Sequence, residues 1–134
     1  MRKKLVLDTC VFLTYASYNK LYRLVFAIEK YDLEIFSNKE LIDELERNIP
    51  RVIKAEGVTT GDILVQVNLI TTLVNTVPVF NKSPDPKDNF LFDLALQTQS
   101  EVIVTKEKVL LDFNESPVHI KDISWFKQTF EVPL

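Results

Sequence analysis

The chain has 134 residues, which predicts a single domain, 1–134, built around one hydrophobic core. One Cys and one His exclude a disulfide framework and a Cys/His zinc cluster, and the net charge of −3 excludes the strongly basic surface of an architectural nucleic-acid binder. No apolar stretch approaches the roughly 20 residues of a membrane span. The N-terminus runs directly into a strand-length apolar run rather than a signal peptide, so we expect a cytoplasmic protein without membrane contact.

Five short runs of apolar, β-rich residues predict the strands. Each is too short and too uniformly apolar for a half-exposed strand, which favours a buried parallel sheet. These runs are 5–7, 33–36, 77–80, 102–104 and 118–120.

Helical periodicity fills the intervals between these strands. The predicted helices are 11–31 with a break around 17–19, 38–49, 61–73, 86–97 and 124–130. Such alternation implies right-handed crossovers and an α/β fold, a three-layer α/β/α sandwich with a central, mainly parallel sheet. The two glycines, Gly57 and Gly61, lie outside any glycine-rich phosphate loop, so Walker-type and dinucleotide-binding fingerprints are absent.

Two strands end on polar side chains at the predicted mouth of a βα unit. Asp8 follows 5–7 directly, and Thr105 and Glu107 follow 102–104. The carboxyl ends of parallel strands face the crevice in which α/β sheets bind ligands. Asp8 is therefore a candidate functional residue, although a Thr cap would explain part of the second turn.

The second predicted helix carries two acids with different expected roles. Ser37 is expected to cap this helix and Glu40 to complete a capping box, which gives Glu40 a structural role. Glu44 lies at the edge of the apolar stripe, where its side chain reaches the rim of the sheet. A solvated surface Glu is the alternative at this position.

The segment 85–95 contains three aspartates with three expected environments. Asp85 precedes Pro86, the pattern of a helix N-cap followed by proline at the first helical position. Asp88 lies at the start of the buried stripe that continues to Leu91, where an unpaired carboxylate needs a cation; the alternative is a favourable charge at the helix N-terminus. Asp93 lies on the opposite face, where we expect it to be solvated.

Taken together, four blocks of the sequence resemble the PIN-domain family, especially the toxins of bacterial toxin-antitoxin systems. The blocks occur in the family's order and span nearly the whole chain. They are the opening strand and Asp in 5–9, the glutamate-bearing helix in 37–45, the third acidic motif in 85–95, and the closing strand with its Thr-x-acid in 102–111.

The resemblance implies a metal-dependent endoribonuclease that hydrolyses RNA phosphodiester bonds as one partner of a toxin-antitoxin pair. Its catalytic acids would be Asp8, Glu44 and Asp88. Asp85 and Glu107 would join them around one or two Mg²⁺ or Mn²⁺ ions, because clustered carboxylates stay ionised together only when cations neutralise them.

Supporting residues and partners follow from the same resemblance. Thr9 and Thr105 would support the site, and the partners would be RNA, a cognate antitoxin protein and a second copy of the chain as a homodimer. Four lysines near the predicted crevice could hold the RNA backbone or simply be solubilising. These are Lys82, Lys87, Lys106 and Lys108.

The chain departs from the family pattern at two positions. Cys10 replaces the usual Asn or Ser two residues after the first Asp, and Glu107 replaces the usual fourth Asp. We expect Cys10 to be a small packed residue rather than a nucleophile. These departures leave an alternative open, a catalytically weak or inactive PIN-like module that binds RNA or a protein partner. Cys10 also removes the second Asp that a haloacid-dehalogenase-type phosphotransferase needs.

Overall fold

A computed structural model describes residues 2–54 and 57–134 of the chain. Five strands form its sheet: β1 (Lys3–Leu7), β2 (Leu33–Ser37), β3 (Thr72–Leu73), β4 (Val102–Val104) and β5 (His119–Lys121). The helices of the described residues are α1 (Thr9–Ser17), α2 (Tyr22–Tyr31), α3 (Lys39–Val52), α4 (Thr60–Ile70), α5 (Asn89–Thr98), α6 (Lys108–Leu111) and α7 (Ile123–Thr129). A single 3₁₀ turn, Pro86–Asp88, precedes α5.

All neighbouring strands are parallel, and their order in the sheet is β3-β2-β1-β4-β5. Strands β2 and β3 lie on one side of β1, and β4 and β5 lie on the other. The strand order therefore reverses beside β1, and the crevice outside the carboxyl ends of β1 and β4 is where such sheets bind ligands.

The uniformly apolar strands lie in the core, as their composition predicts. Leu5, Val6 and Leu7 of β1 are buried, and so are Ile103 and Val104 of β4. Helices pack on this parallel sheet, which confirms the predicted α/β/α fold. The predicted break near 17–19 is also confirmed, because α1 ends at Ser17 and α2 begins at Tyr22. No described helix is long and apolar enough to span a membrane.

The predicted capping box at Ser37 is wrong by one residue. The N-cap of α3 is Asn38, whose Oδ1 accepts a hydrogen bond from the Leu41 amide at 3.0 Å. Ser37 is instead the last residue of β2, fully buried, and its hydroxyl lies 3.0 Å from that of Thr71. Asn and Ser are nearly equal as N-caps, so the sequence alone does not separate them.

The predicted strand 77–80 is also wrong, because the third strand is Thr72–Leu73, within the segment predicted as the end of a helix. Side chains of α5, rather than a neighbouring strand, bind the backbone of 77–80. Gln97 bonds both the amide and the carbonyl of Val77, and Asp93 accepts hydrogen bonds from the amides of Val79 and Phe80. Pro78 has no N–H, which further weakens this segment as a strand.

This arrangement also corrects the expected position of Asp93. Its side chain is only 4% exposed rather than solvated. The helical wheel places it correctly away from the Leu91 stripe, but the segment 77–80 covers that second face of α5. Asp93 is therefore a structural residue that fixes the chain leading into the 3₁₀ turn.

Candidate active site

Asp8 is held rigidly at the carboxyl end of β1, where it is the N-cap of α1. Its Oδ1 accepts hydrogen bonds from the Thr9 amide at 2.7 Å and the Thr9 hydroxyl at 3.1 Å, and its Oδ2 accepts one from the Thr105 hydroxyl at 2.7 Å. The side chain is 2% exposed. These three donors fix the carboxylate beside the reversal of the strand order.

Thr105 connects Asp8 to the turn that carries Glu107. Its hydroxyl donates to Asp8 and accepts a hydrogen bond from the Glu107 amide at 3.0 Å. A single hydroxyl therefore joins the ends of β1 and β4 and orients the turn after β4. This contact accounts for a Thr at the position that the sequence motif singles out.

Glu44 reaches the same region from the half-buried face of α3. The Thr9 hydroxyl lies 2.9 Å from Glu44 Oε1 as well as 3.1 Å from Asp8 Oδ1. Because the hydroxyl has one proton, its two carboxylate contacts share it. Burial raises the pKa of Glu44, opposed by the Thr9 hydrogen bond and reinforced by the nearby charges of Asp8 and Glu107.

Asp88 is the least satisfied carboxylate of the group. It is 5% exposed, and its Oδ2 has no hydrogen-bond donor among the described residues. Burial raises its pKa to about 8, with further contributions from a hydrogen bond to the Glu107 carboxyl and from the charges of Glu107, Asp8 and Asp85. Burial likewise raises the pKa of Glu107. The two neighbouring carboxyls therefore hold a shared proton more tightly than isolated acids do.

Glu44, Asp88 and Glu107 border an open cleft of about 510 Å³, and Asp8 is not among its lining residues. Residues of α3 form part of its lining, and the 3₁₀ turn, the start of α5 and the turn after β4 form the rest. The lining residues are Glu40, Asp43, Glu44, Arg47, Asn48, Asp85, Lys87, Asp88, Phe90 and Glu107. Asp85 combines this position with the predicted N-cap role, because its Oδ1 accepts a hydrogen bond from the Lys87 amide.

The donor set fits a hard divalent cation, since it consists of carboxylate oxygens and includes an unpaired buried one, Asp88 Oδ2. Within residues 2–54 and 57–134, however, no three Asp, Glu, His or Cys side chains form a group already arranged to hold a metal ion. Hydroxyls and an amide occupy both oxygens of Asp8. The structure thus brings Glu44, Asp85, Asp88 and Glu107 to one cleft, whereas Asp8 lies behind it, connected through the hydroxyls of Thr9 and Thr105. The role of these acids as metal ligands stays a prediction.

The four candidate RNA-binding lysines are dispersed. Lys87 lines the cleft, whereas Lys82 lies beside a separate apolar groove. Lys106 donates a hydrogen bond from Nζ to the Thr14 hydroxyl of α1 at 3.1 Å, and Lys108 is exposed in the short helix α6. Contact of any of these lysines with RNA stays a prediction.

Sequence reasoning missed four cleft residues: Asp43, Arg47, Asn48 and Phe90. Arg47 follows Glu44 by three positions on α3 and therefore shares its face, a signal that was present in the sequence. Phe90 follows Asp88 by two positions and is a lining residue of the cleft, although an aromatic residue beside a buried stripe is normally assigned to the core.

Cys10 is half-buried against the Thr105 turn. Its Sγ accepts a hydrogen bond from the Lys106 amide at 3.4 Å. Burial, together with the charge of Asp8, raises the pKa of the thiol to about 12. A thiol of this kind is protonated at neutral pH, which agrees with the expected packing role rather than with a nucleophile.

Comparison with known proteins identifies one family. A family model described as PIN domain matches residues 4–108, which span β1 to the first residue of α6 and include every acid discussed above. Searches of curated proteins and of solved structures gave no significant match.

Proposed function

The chain belongs to the PIN-domain family, whose members are generally nucleases that use divalent metal ions, and from this premise we propose that it is a metal-dependent endoribonuclease. Its substrate would be RNA, and Asp8, Glu44 and Asp88 would be its catalytic acids. Asp85 and Glu107 would complete the group that holds Mg²⁺ or Mn²⁺.

One observation carries this proposal, the unpaired buried oxygen of Asp88 beside a second carboxyl, Glu107. Folding gains nothing from burying two adjacent acids without a counter-charge, and such an arrangement costs free energy. Perturbed acids in a cleft are characteristic of functional sites. A divalent ion bound between these acids would offset this cost, and metal binding would therefore explain why the fold keeps the arrangement.

The ion and the residues of the cleft would have separate roles. When bound, the ion would supply charge neutralisation and a water of lowered pKa. Thr9 and Thr105 hold Asp8 in one orientation through their hydroxyls. Lys87 lines the same cleft, where its ammonium can pair with a phosphate of the RNA backbone.

The experiment that tests the proposal measures metal-dependent stability and RNA cleavage on the same variants. Saturating Mg²⁺ or Mn²⁺ should raise the melting temperature of the wild type. A free ion concentration of one hundred times Kd would raise the free energy of unfolding by about 2.7 kcal/mol. Asp8→Asn and Asp88→Asn should lose this gain and the cleavage of RNA. Asp112→Asn makes the same chemical change outside the cleft lining and should keep both.

A wild type whose melting temperature is unchanged by either ion would contradict the metal site. Cleavage that persists in both Asp8→Asn and Asp88→Asn would contradict the catalytic assignment, because it would come from another site or a contaminant. Circular dichroism at the assay temperature establishes that each variant is folded.

The role as a toxin rests on the resemblance of the four motifs to PIN toxins. Induced expression in a bacterial host should arrest growth, and expression of Asp8→Asn should not. A cognate antitoxin would then be a protein that binds the chain and restores growth. Equal growth with wild type and variant would contradict the toxin role while leaving the nuclease intact.

A binding module of weak or absent activity is the second candidate. It is favoured by the absence, within the described residues, of three side chains already arranged around one ion, and by the replacement of the usual fourth Asp by Glu107. RNA binding without cleavage, in Mg²⁺ and in Mn²⁺ and with both wild type and Glu107→Asp, would decide for this candidate.

A further inference from the structure

Outside the acidic cleft, an exposed apolar face lies between α2 and α4. Its large apolar side chains recur at helical spacing on each helix, so each helix has an apolar stripe turned to solvent. They are Tyr22, Val25 and Phe26 on α2, and Val65 and Leu69 on α4. These five residues are called the α2–α4 face below. Large exposed apolar patches mark surfaces at which a protein meets another molecule.

The protruding side chains of this face are held in a fixed arrangement. The rings of Tyr22 and Phe26 meet edge-on with centroids 6.3 Å apart, and the guanidinium of Arg23 lies 5.9 Å from the Tyr22 centroid. Phe26 is nevertheless 64% exposed, and Leu69 is 80% exposed. Ordered aromatic side chains lose little conformational freedom on binding and are enriched in the energetic centre of protein interfaces.

Two hollows lie end to end beside these side chains. The first, of about 330 Å³, is lined by residues from the start of α2 and the first half of α4, including Leu21 and Ile63. The second, of about 390 Å³, is lined by later residues of both helices, including Val25 and Leu69. Since a cavity of about 150 Å³ holds a benzene ring, each hollow has room for a phenyl side chain.

The two hollows have opposite charge. Lys54 is the charged residue that lines the first hollow. Glu29 and Glu34 line the second, and Arg2, which also lines it, is paired with Asp32 at 3.2 Å. Among the described residues, the face thus has a basic end and an acidic end. A surface with this polarity is complementary to a second copy of itself turned end for end.

We propose that the α2–α4 face is where two copies of this chain meet, as a two-fold dimer in which the faces run antiparallel. Phe26 and Leu69 of each copy would enter the hollows of the other, and Lys54 of each would face Glu29 of the other. In a two-fold interface the same patch serves both subunits, so both knobs and hollows must be present on it. This face has both. The proposal goes beyond the nuclease function and does not depend on it, because neither hollow shares a lining residue with the acidic cleft among the described residues.

The apolar area of the face matches what a stable dimer needs. A Phe or Tyr side chain buries about 150–250 Å² in full, so the five partly exposed residues together leave on the order of 500 Å² in water. A standard interface covers about 800 Å² on each partner, and somewhat more than half of this area is apolar. The polar rim with its charges would supply the remainder. Interfaces of this size have Kd values of about 1 μM or below.

The first experiment measures the oligomeric state of the full chain by sedimentation over a range of concentrations. The wild type should dimerise. Phe26→Asp and Leu69→Asp, one substitution on each helix, should each raise the dimer Kd by about 30-fold or more, the size of effect expected in the centre of an interface. Val79→Asp is the matched control, since Val79 is also highly exposed but borders a different apolar groove, and it should dimerise as the wild type does.

The second experiment tests the antiparallel arrangement by reversing charges. Lys54→Glu and Glu29→Lys should each raise the dimer Kd by about 10-fold, because each places like charges together at both ends of the interface. A 1:1 mixture of these two variants should recover the wild-type affinity, since both ends of the mixed dimer then pair opposite charges. Added salt should reduce the difference between the variants and the wild type.

A wild type that stays monomeric at about 100 μM, far above the Kd values expected for an interface of this size, would overturn the inference, and a different partner would then cover the face. A dimer that persists in Phe26→Asp and Leu69→Asp but is lost in Val79→Asp would also overturn it. So would a mixture of the two charge variants that is no more dimeric than each variant alone. Circular dichroism and melting temperatures close to those of the wild type establish that the variants are folded.

Discussion

The carboxyl end of β1 and the 3₁₀ turn before α5 each bury an aspartate, under opposite conditions. Asp8 accepts three hydrogen bonds from Thr9 and Thr105. Asp88 is buried to nearly the same degree, but its Oδ2 has no donor among the described residues and its neighbour is another acid. Similar burial therefore has different free-energy consequences at the two positions.

Asp93 extends this comparison, because it is also buried and also satisfied. It accepts hydrogen bonds from two backbone amides at 3.0 Å and 2.8 Å. Buried acids with donors stabilise the fold, whereas a buried acid without donors destabilises it unless a ligand supplies the missing charge. The three aspartates should therefore respond differently to neutralisation.

The largest effect on stability is expected at Asp93. Asp93→Ala removes the acceptor of the Val79 and Phe80 amides and leaves both unpaired in a partly buried place. Hydrogen bonds to a charged group contribute about 1.5–3 kcal/mol each, so we expect a loss of about 3 kcal/mol or more in the free energy of unfolding. Urea denaturation followed by fluorescence of the single Trp125 measures it.

Asp93→Asn is the matched control, since its amide oxygen still accepts from both backbone amides. We expect it to cost only about 1 kcal/mol, the difference between charged and neutral acceptors. Equal losses in the Ala and Asn variants would mean that charge, rather than the two hydrogen bonds, matters at Asp93.

At Asp88 we expect the opposite effect when metal is removed with EDTA: neutralising this side chain should raise the free energy of unfolding. Its folded pKa of about 8 lies above the reference value of 3.8, so between these values the folded state binds more protons than the unfolded state. The free energy of unfolding of the wild type therefore falls as pH rises through this window. Asp88→Asn does not titrate there, so it should be more stable than the wild type near pH 8, by a margin that grows as the pH rises through this window.

Denaturation at pH 5 and pH 8.5 checks this prediction. The advantage of Asp88→Asn should be smaller at pH 5, near the lower end of this window, than at pH 8.5, above its upper end. Addition of Mg²⁺ or Mn²⁺ should reverse the order, since only the wild type would gain from the ion. A variant less stable than the wild type at pH 8.5 in EDTA would show that Asp88 is satisfied in a way the structure does not contain.

The sequence predicted the sheet and the acids better than it predicted their surroundings. Buried parallel strands are uniformly apolar, so 5–7 and 102–104 were recognisable, and the acid at the end of β1 followed from chain direction alone. The environment of Asp93 depends on which segment covers the second face of α5, and periodicity within one helix contains no information about that. Phe90 became visible as a cleft residue only when α3 and α5 were brought together, whereas the position of Arg47 on the face of Glu44 was already present in the sequence.

The smallest effect is expected at Glu107, where the chain departs from the family pattern. Its carboxyl lies next to Asp88 and forms a hydrogen bond with it when one of the two is protonated. It therefore acts on the site through Asp88. Displacing a reacting group by about 1 Å would cost on the order of 10²-fold in rate, so a residue with this indirect role should cost less when changed. Glu107→Gln keeps a hydrogen-bonding group at the same reach, so we expect it to reduce kcat by no more than about 10-fold, less than Asp8→Asn or Asp88→Asn.

Glu107→Asp shortens the side chain by one methylene and restores the residue that is usual in the family. It should preserve or increase kcat, because the carboxylate then withdraws from Asp88 while keeping its charge beside the cleft. Initial rates of RNA cleavage in Mn²⁺ measure the three proteins side by side. If Glu107→Gln were as inactive as Asp8→Asn, Glu107 would be a full member of the catalytic group. Its carboxyl would then act directly rather than through Asp88.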